Sequence, residues 1–256
     1  MVTLTACDGL FGLTHIRNTD AGQAIDAVDA SRDAGDAVTP VQAVQASSLA
    51  GNGTAPPLSI QFLSSTLTGN AVVLACAIGT SNTHLSGITD DSAGGANVWM
   101  RVVDSSNWTS GPGVRLEVWY TTTGRPISSA TVQYAITTDQ RPLVCELIEW
   151  PRFAGLEGVN VQPPSMNKQV IVSSGSITTT RPSVLVGIVG TADPVANAAN
   201  VDAPFTSFGL GMTVNGTTMI TSDVVWAVRP PGPIEARWML QFGQNWDAGL
   251  VAFGLR

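Results

Sequence analysis

"VRLEVWYTTTG", residues 114–124, alternates in character along its first seven positions. Val114, Leu116, Val118 and Tyr120 fall on one face of an extended chain, and Arg115, Glu117 and Trp119 fall on the other. Successive side chains of a strand point to opposite sides, so this period of two predicts a strand with one buried face. The Thr-Thr-Thr-Gly that follows closes it with a turn. A solvent face would ordinarily carry small polar residues; this one carries a charge pair and a tryptophan. What covers or uses that face is the question the stretch raises.

Working outward, the same texture extends from about residue 58 to the C-terminus. Strands are expected near 58–63, 71–80, 97–103, 114–122, 130–138, 142–150, 168–173, 183–191, 217–229, 234–242 and 247–254, separated by "TGN", "DDSAGG", "SSNWTSGPG", "TTTGRP", "TTDQRP", "TADPVANAAN" and "RPPGP". Many short strands with turn signals between them predict an all-β, antiparallel sandwich in which two sheets share one core. "AVVLACAIG" and "SVLVGIVG" are apolar on both faces and are expected to be central or covered strands. No repeat is apparent within this region.

Residues 1–55 differ. "DAGQAIDAVDASRDAGDAVTPVQAVQASS" is built from Ala, Asp, Val and Gly, and its apolar stripe of Ile25, Val28 and Val38 is thin for an independent core. We therefore expect two parts: an Ala/Asp-rich N-terminal arm and linker over 1–55, with "GNGTAPP" as the linker, and a β-sandwich over 56–256.

The chain has 256 residues, 44% hydrophobic and 12% charged, with a formal net charge of −7. That balance offers no basic stripe for a phosphate backbone, so nucleic acid is not an expected partner. No apolar run approaches the ~20 residues of a membrane-crossing helix, and membrane insertion is not expected. The start lacks a basic and then apolar leader, so no signal peptide is expected. Of the three cysteines, Cys76 and Cys145 lie inside apolar strand patterns and are expected as buried, inert thiols; an odd count without paired spacing predicts neither a disulfide framework nor a zinc site.

Catalytic chemistry has little to build on. His15 and His84 are the only histidines, and no Gly-x-Ser-x-Gly elbow is present, so a Ser–His–Asp site is not expected. "TDDSAGGAN" offers Asp90, Asp91 and Asn97 as hard oxygen ligands for calcium, but Asp and Asn also build turns through bonds to backbone N–H groups, which is the preferred reading. Glu117, flanked by Trp119, and Glu146, sharing a face with Trp150, would suit a sandwich glycosidase if they converged at ~5–5.5 Å or ~6.5–9.5 Å. The plainer expectation is surface charge pairing of these acids with Arg101 and Arg115.

Seven tryptophans remain. Trp226 and Trp238 sit in strongly apolar strands and are expected in the core. Trp99, Arg101, Trp108, Arg115, Glu117 and Trp119 form the candidate binding surface, as apolar planes beside hydrogen-bonding groups. Such a face is a ligand platform for a sugar, a surface that a sister subunit covers, or one packed under the chain's own loops; the sister subunit is preferred.

"GNAVVLACAIG", "ITDDSAGGANVWMRVVDSS", "GVRLEVWYTTTG", "ATVQYAITT", "PLVCELIEWPRFAGL" and "WDAGLVAFGLR" follow one another as in a jelly-roll-like β-sandwich module. The order resembles that of actinobacteriophage minor tail proteins and bacterial surface proteins, over residues 69 to 256. The Ala-Asp-rich leader also resembles stretches of such tail proteins. "DDSAGGAN" departs from the "DSAGN" usual in the module, which lengthens that turn. The resemblance implies a jelly-roll-like fold and carries over no catalytic residue. It implies a phage virion structural protein, made in the host cytoplasm and acting in assembly and host-surface contact. Its partners would be other virion proteins, further copies of itself in a homo-oligomer, and a host cell-surface glycan. Neither cofactor nor metal is expected. The alternatives are a carbohydrate-binding module or sandwich-fold glycosidase, and a capsid decoration protein.

Overall fold

A computed structural model describes residues 42–52, 57–79, 83–105, 113–135, 141–151, 153–165, 168–193, 199–215, 218–243 and 245–256. Among them every regular element is a strand. The first half comprises β1 (Gln45–Asn52), β2 (Leu58–Gln61), β3 (Ala71–Ile78), β4 (Leu85–Asp90), β5 (Met100–Asp104), β6 (Arg115–Thr122), β7 (Ser129–Tyr134) and β8 (Pro142–Trp150). The second comprises β9 (Phe153–Ser165), β10 (Ile171–Ser173), β11 (Ile177–Thr179), β12 (Ser183–Asp193), β13 (Ala199–Val201), β14 (Thr206–Asn215), β15 (Thr218–Arg229), β16 (Gly232–Ile234), β17 (Arg237–Leu240) and β18 (Asn245–Leu255).

The sheets reveal a duplication. The first half builds a five-stranded sheet in the order β1-β8-β3-β6-β5 and a small sheet β2-β7-β4. The second builds β9-β18-β12-β15-β14 and β10-β17-β13, with β11 and β16 as an extra pair. Setting that extra pair aside, both halves read 1-8-3-6-5 and 2-7-4. This is an antiparallel jelly-roll order in which the fifth strand extends the larger sheet beside the sixth. The chain is therefore two jelly-roll-like sandwiches in tandem, and the expectation of no internal repeat is corrected. Sequence shows it only faintly: "VVLACAIGT" at 72–80 against "SVLVGIVGT" at 183–191.

The two large sheets pack back to back, and each small sheet covers an outer face, giving four layers. The central layer joins Val73, Ala75, Ala77, Val118, Ile148 and Trp150 to Val184, Val186, Ile188, Val224, Val251 and Phe253. Ile60, Ile88, Val132 and Tyr134 close one outer compartment over Val72, Leu74, Trp119 and Leu147. Val172, Trp238 and Leu240 close the other over Leu185, Val189, Leu250 and Ala252. With both faces covered, β3 and β8 are buried at every position, as their continuous apolar runs require. The large sheets approach closely where Gly190 faces the first half: a Cβ there would lie 2.8 Å from Val114 and 2.9 Å from Leu116.

Two expectations change here. The sandwich does not begin at residue 56, because β1 pairs along its whole length with β8, from Gln45 opposite Glu149 to Asn52 opposite Pro142. The compact unit that holds it spans Thr39–Arg256. The rest of the expected arm, residues 1–41, and most of the linker lie outside the described residues. Cys76 and Cys145, expected as free thiols, face each other across β3 and β8 and form a disulfide with Cα atoms 4.1 Å apart. Both point into the compartment under β2-β7-β4.

Candidate functional site

Alternation places the β6 side chains as the sequence suggests, but the Arg115–Glu117–Trp119 face is not open. The small sheet lies over it, and all three side chains are buried. Glu117 is fully enclosed. It accepts hydrogen bonds from the Leu85 backbone N–H at 3.0 Å and the Trp119 indole N–H at 2.9 Å. Arg115 Nε lies 3.2 Å and Arg101 Nη1 3.7 Å from its oxygens. Asp104 bridges the two arginines, pairing with Arg101 at 3.0 Å and with Arg115 at short range. The Arg101 guanidinium stands 5.5 Å from the Trp119 ring centroid, over the ring, and shields it from solvent. Burial raises the Glu117 pKa above the usual carboxylate range, and the two hydrogen bonds and two guanidinium groups offset only part of that rise. The expected charge pairing is thus present for Glu117, but as a buried network and not at the surface, and Glu146 has no ion pair among the described residues.

Of the remaining candidates, Trp99 is half-buried against the same compartment and donates its indole N–H to Asp90 at 2.9 Å. Arg101 is exposed. Trp108 lies outside the described residues. Of the candidate surface, Arg115, Glu117 and Trp119 are thus covered by this chain's own small sheet, where a sister subunit was expected. Trp238 is buried as expected, and Trp226 packs against Trp150 with ring centroids 5.4 Å apart at the rim of the central layer.

The glycosidase pair fails on geometry. Glu117 and Glu146 sit on β6 and β8, which flank β3 on opposite sides. Glu117 faces the outer compartment with Trp119, while Glu146, two residues from Val144 and Ile148, faces the central layer. A sheet separates the two carboxyls. Glu149 is a third, structural acid: it accepts hydrogen bonds from Gln45, the Leu67 backbone and Asn70 at 2.7, 2.9 and 2.6 Å.

In the β4–β5 loop Asp90 is the hub. Its carboxylate accepts the Ser92 N–H at 3.2 Å and hydroxyl at 2.5 Å, the Asn97 N–H at 3.1 Å and amide at 3.2 Å, and the Trp99 indole. Burial works against this carboxylate, but the hydrogen bonds from Ser92, Trp99 and Asn97 prevail and hold its pKa below the usual range. Asp91 caps the backbone N–H groups of Ser128 and Ser129. These oxygens are committed to the loop's own shape, which is what the turn reading requires.

Three further acids were not singled out by sequence reasoning in these roles. Glu146 and Asp247 both face the central layer, and burial pushes each up to about 8; for Glu146 the charge of Asp223 adds to the rise. Neither oxygen of Asp247 has a partner with hydrogen-bond geometry among the described residues, so the nearby Ser105 hydroxyl and Ala248 N–H offset little. Asp223, on β15, is pushed up to about 6 by burial despite bonds from Ser207 and from the Trp238 indole at 3.2 Å. The one available signal is that each acid interrupts an apolar strand pattern.

Compared with protein families, curated proteins and solved structures, the chain matches none.

Proposed function

We propose that the chain is a structural protein of a phage virion, a minor tail protein that acts in assembly. The observation that carries this is the closure of the candidate site: its charged groups are spent on one another and on backbone groups. A face of that kind stiffens a scaffold instead of presenting chemistry. Jelly rolls serve as building blocks of viral shells, and two of them fused back to back suit such a part. A buried disulfide suits a particle that persists outside a reducing cytoplasm. The sugar-binding alternative drew on Trp99, Trp108 and Trp119 together, and the enclosure of Trp119 gives it less support than assembly.

Mass spectrometry of particles purified on a density gradient, from cells carrying the gene, tests the proposal. Its peptides should co-sediment with intact particles and resist high-salt washing. Peptides confined to the soluble fraction would refute it.

A further inference from the structure

Cys76 and Cys145 are fully buried, on the adjoining strands β3 and β8 inside the first large sheet. Their row across that sheet runs from Leu49 on β1 through Cys145 and Cys76 to Glu117 on β6. Leu49 and the enclosed Glu117 therefore flank the disulfide on either side, and the small sheet β2-β7-β4 lies over it. Ile60, Leu85, Ile88, Val132 and Tyr134 supply the underside of that cover, none of them more than 8% exposed. Glu117 also fastens the cover, because its carboxylate accepts the Leu85 N–H of β4 at 3.0 Å. The other face of β3 and β8 is closed by the central layer.

The equivalent positions in the second half hold Gly187 and Leu250, which pair across β12 and β18. The fold therefore does not need a bond at this place, and its consequence belongs to the first compartment alone.

Reducing the bond takes two electrons from two external thiols, such as those of glutathione. One thiolate attacks a cystine sulfur, forms a mixed disulfide and releases the other cysteine. A second thiolate then leaves with the first as an external disulfide, and both cysteines take up the protons. Oxidation of the dithiol by oxidised glutathione is the same exchange reversed. Either direction needs contact between a buried sulfur and a molecule far larger than water, so both wait on an opening of the small sheet.

We infer that the sheet β2-β7-β4 is a lid that fixes the redox state of Cys76 and Cys145 when it closes. A bond made before closure persists among reducing thiols, and a dithiol enclosed without the bond persists among oxidising ones. The inference concerns the chain alone and does not rest on the virion proposal.

Timed reduction of the full chain by dithiothreitol tests it, with peptide mapping to count alkylated Cys76 and Cys145. The native protein should lose the bond at least about a thousandfold more slowly than the same protein in denaturant. Val132→Ala hollows the underside of the lid and should speed native reduction at least about tenfold. Val172→Ala makes the same change at a fully buried position under the other small sheet and should leave the rate within about twofold. Should Val132→Ala fail to fold, the milder Ile88→Val on β4 takes its place. Chain folded under dithiothreitol and then moved to oxidised glutathione should keep both thiols. Native reduction within about tenfold of the denatured rate would overturn the inference, and so would ready oxidation of the native dithiol. Equal rates in the two valine variants would also overturn it, because the lid would then not be the route to the sulfurs.

Discussion

The two jelly rolls each hold a carboxylate on the same strand of the same fold, and treat it differently. Glu117 on β6 and Asp223 on β15 both point into their outer compartments, and each accepts an indole N–H, from Trp119 and from Trp238. Glu117 has two guanidinium groups within 4 Å. Asp223 has Ser207 and Trp238 but no ion-pair partner among the described residues, and burial raises it to about 6. The first half also has a disulfide at the centre of its large sheet. In the second, Gly187 of β12 gives the Trp238 ring room, a Cβ there lying 3.3 Å from it. One strand order is thus stabilised by covalent and ionic links in one copy and by aromatic packing in the other. Topology does not dictate which chemistry fills a compartment.

The largest way to break that difference is to remove the disulfide. The Cys76–Cys145 bond closes a loop with a sequence separation of 69, for which chain entropy suggests about 4 kcal/mol. Cys76→Ala with Cys145→Ala should cost that order of stability in denaturant titrations, with protection lost first in β3 and β8. Equal loss across β12 and β18 would show that the halves do not differ in this respect.

Next comes the ion network. Glu117→Leu leaves Arg115 with Asp104 alone and strips the buried Leu85 and Trp119 N–H groups of their acceptor, and should cost about 3 kcal/mol. Replacing Glu117, Arg115 and Arg101 together by apolar residues should cost less, since no fully buried charge is left unpaired and Asp104, half-exposed, can turn to water. A triple variant as unstable as the single one would mean that the network contributes more than mutual neutralisation.

The central layer, shared by both halves, gives a pH test. Glu146 and Asp247 have folded pKa values near 8, against ordinary values of 4.5 and 3.8. The folded state keeps these protons while the unfolded state loses them, so stability falls as pH rises from about 4 to about 8 and then levels off. Within that window each group should contribute a tenfold loss in the folding constant per pH unit, about 1.4 kcal/mol. Glu146→Gln and Asp247→Asn should each remove one such proton from the slope and stabilise the protein at pH 8. A slope unchanged in both variants would place the linkage elsewhere, with Asp223 the next group to replace.

How much of this was legible depends on what each strand shows locally. Strands β3, β6, β8, β12, β15 and β18 are continuous or cleanly alternating, and the sequence places them within a few residues. Strands β9 and β14 are interrupted by glycine, and β9 ends at a Pro-Pro pair, so they resemble loops; each is an edge strand, where bulges cost little. Strand β1 is mostly Ala, Ser and Gly, with Leu49 its one large apolar residue, and reads as part of a leader. Alternation told correctly which β6 residues share a face, but not what lies over them, because the cover comes from residues 58–61, 85–90 and 129–134. The disulfide was hidden for the same reason. Nothing in a spacing of 69 residues says that β3 and β8 are neighbours.

The smallest expected effect separates the two equivalent loops, β4–β5 and β13–β14. Asp90 organises the first through its bonds to Ser92, Asn97 and Trp99, and Asp91 ties it to the β6–β7 connection. In the second, the Asp202 side chain has no corresponding set of bonds among the described residues, and the turn is closed by the Phe205 N–H donating to the Asp202 carbonyl at 3.2 Å. Asp90→Asn keeps the shape but turns two acceptor oxygens into one and removes the charge, and should cost about 1 kcal/mol. Its sign with pH opposes that of the central layer. The Asp90 pKa is depressed in the folded state, so its contribution is present above the ordinary carboxylate pKa and lost as pH falls through the lower folded value. Asp202→Asn should have no measurable effect. Calcium provides the second readout: with the Asp90 oxygens already taken by five donor groups, neither added calcium nor a chelator should move the melting temperature. A calcium-dependent rise that Asp90→Asn abolishes would show that the loop reorganises around a cation and that its hydrogen bonds are the weaker alternative.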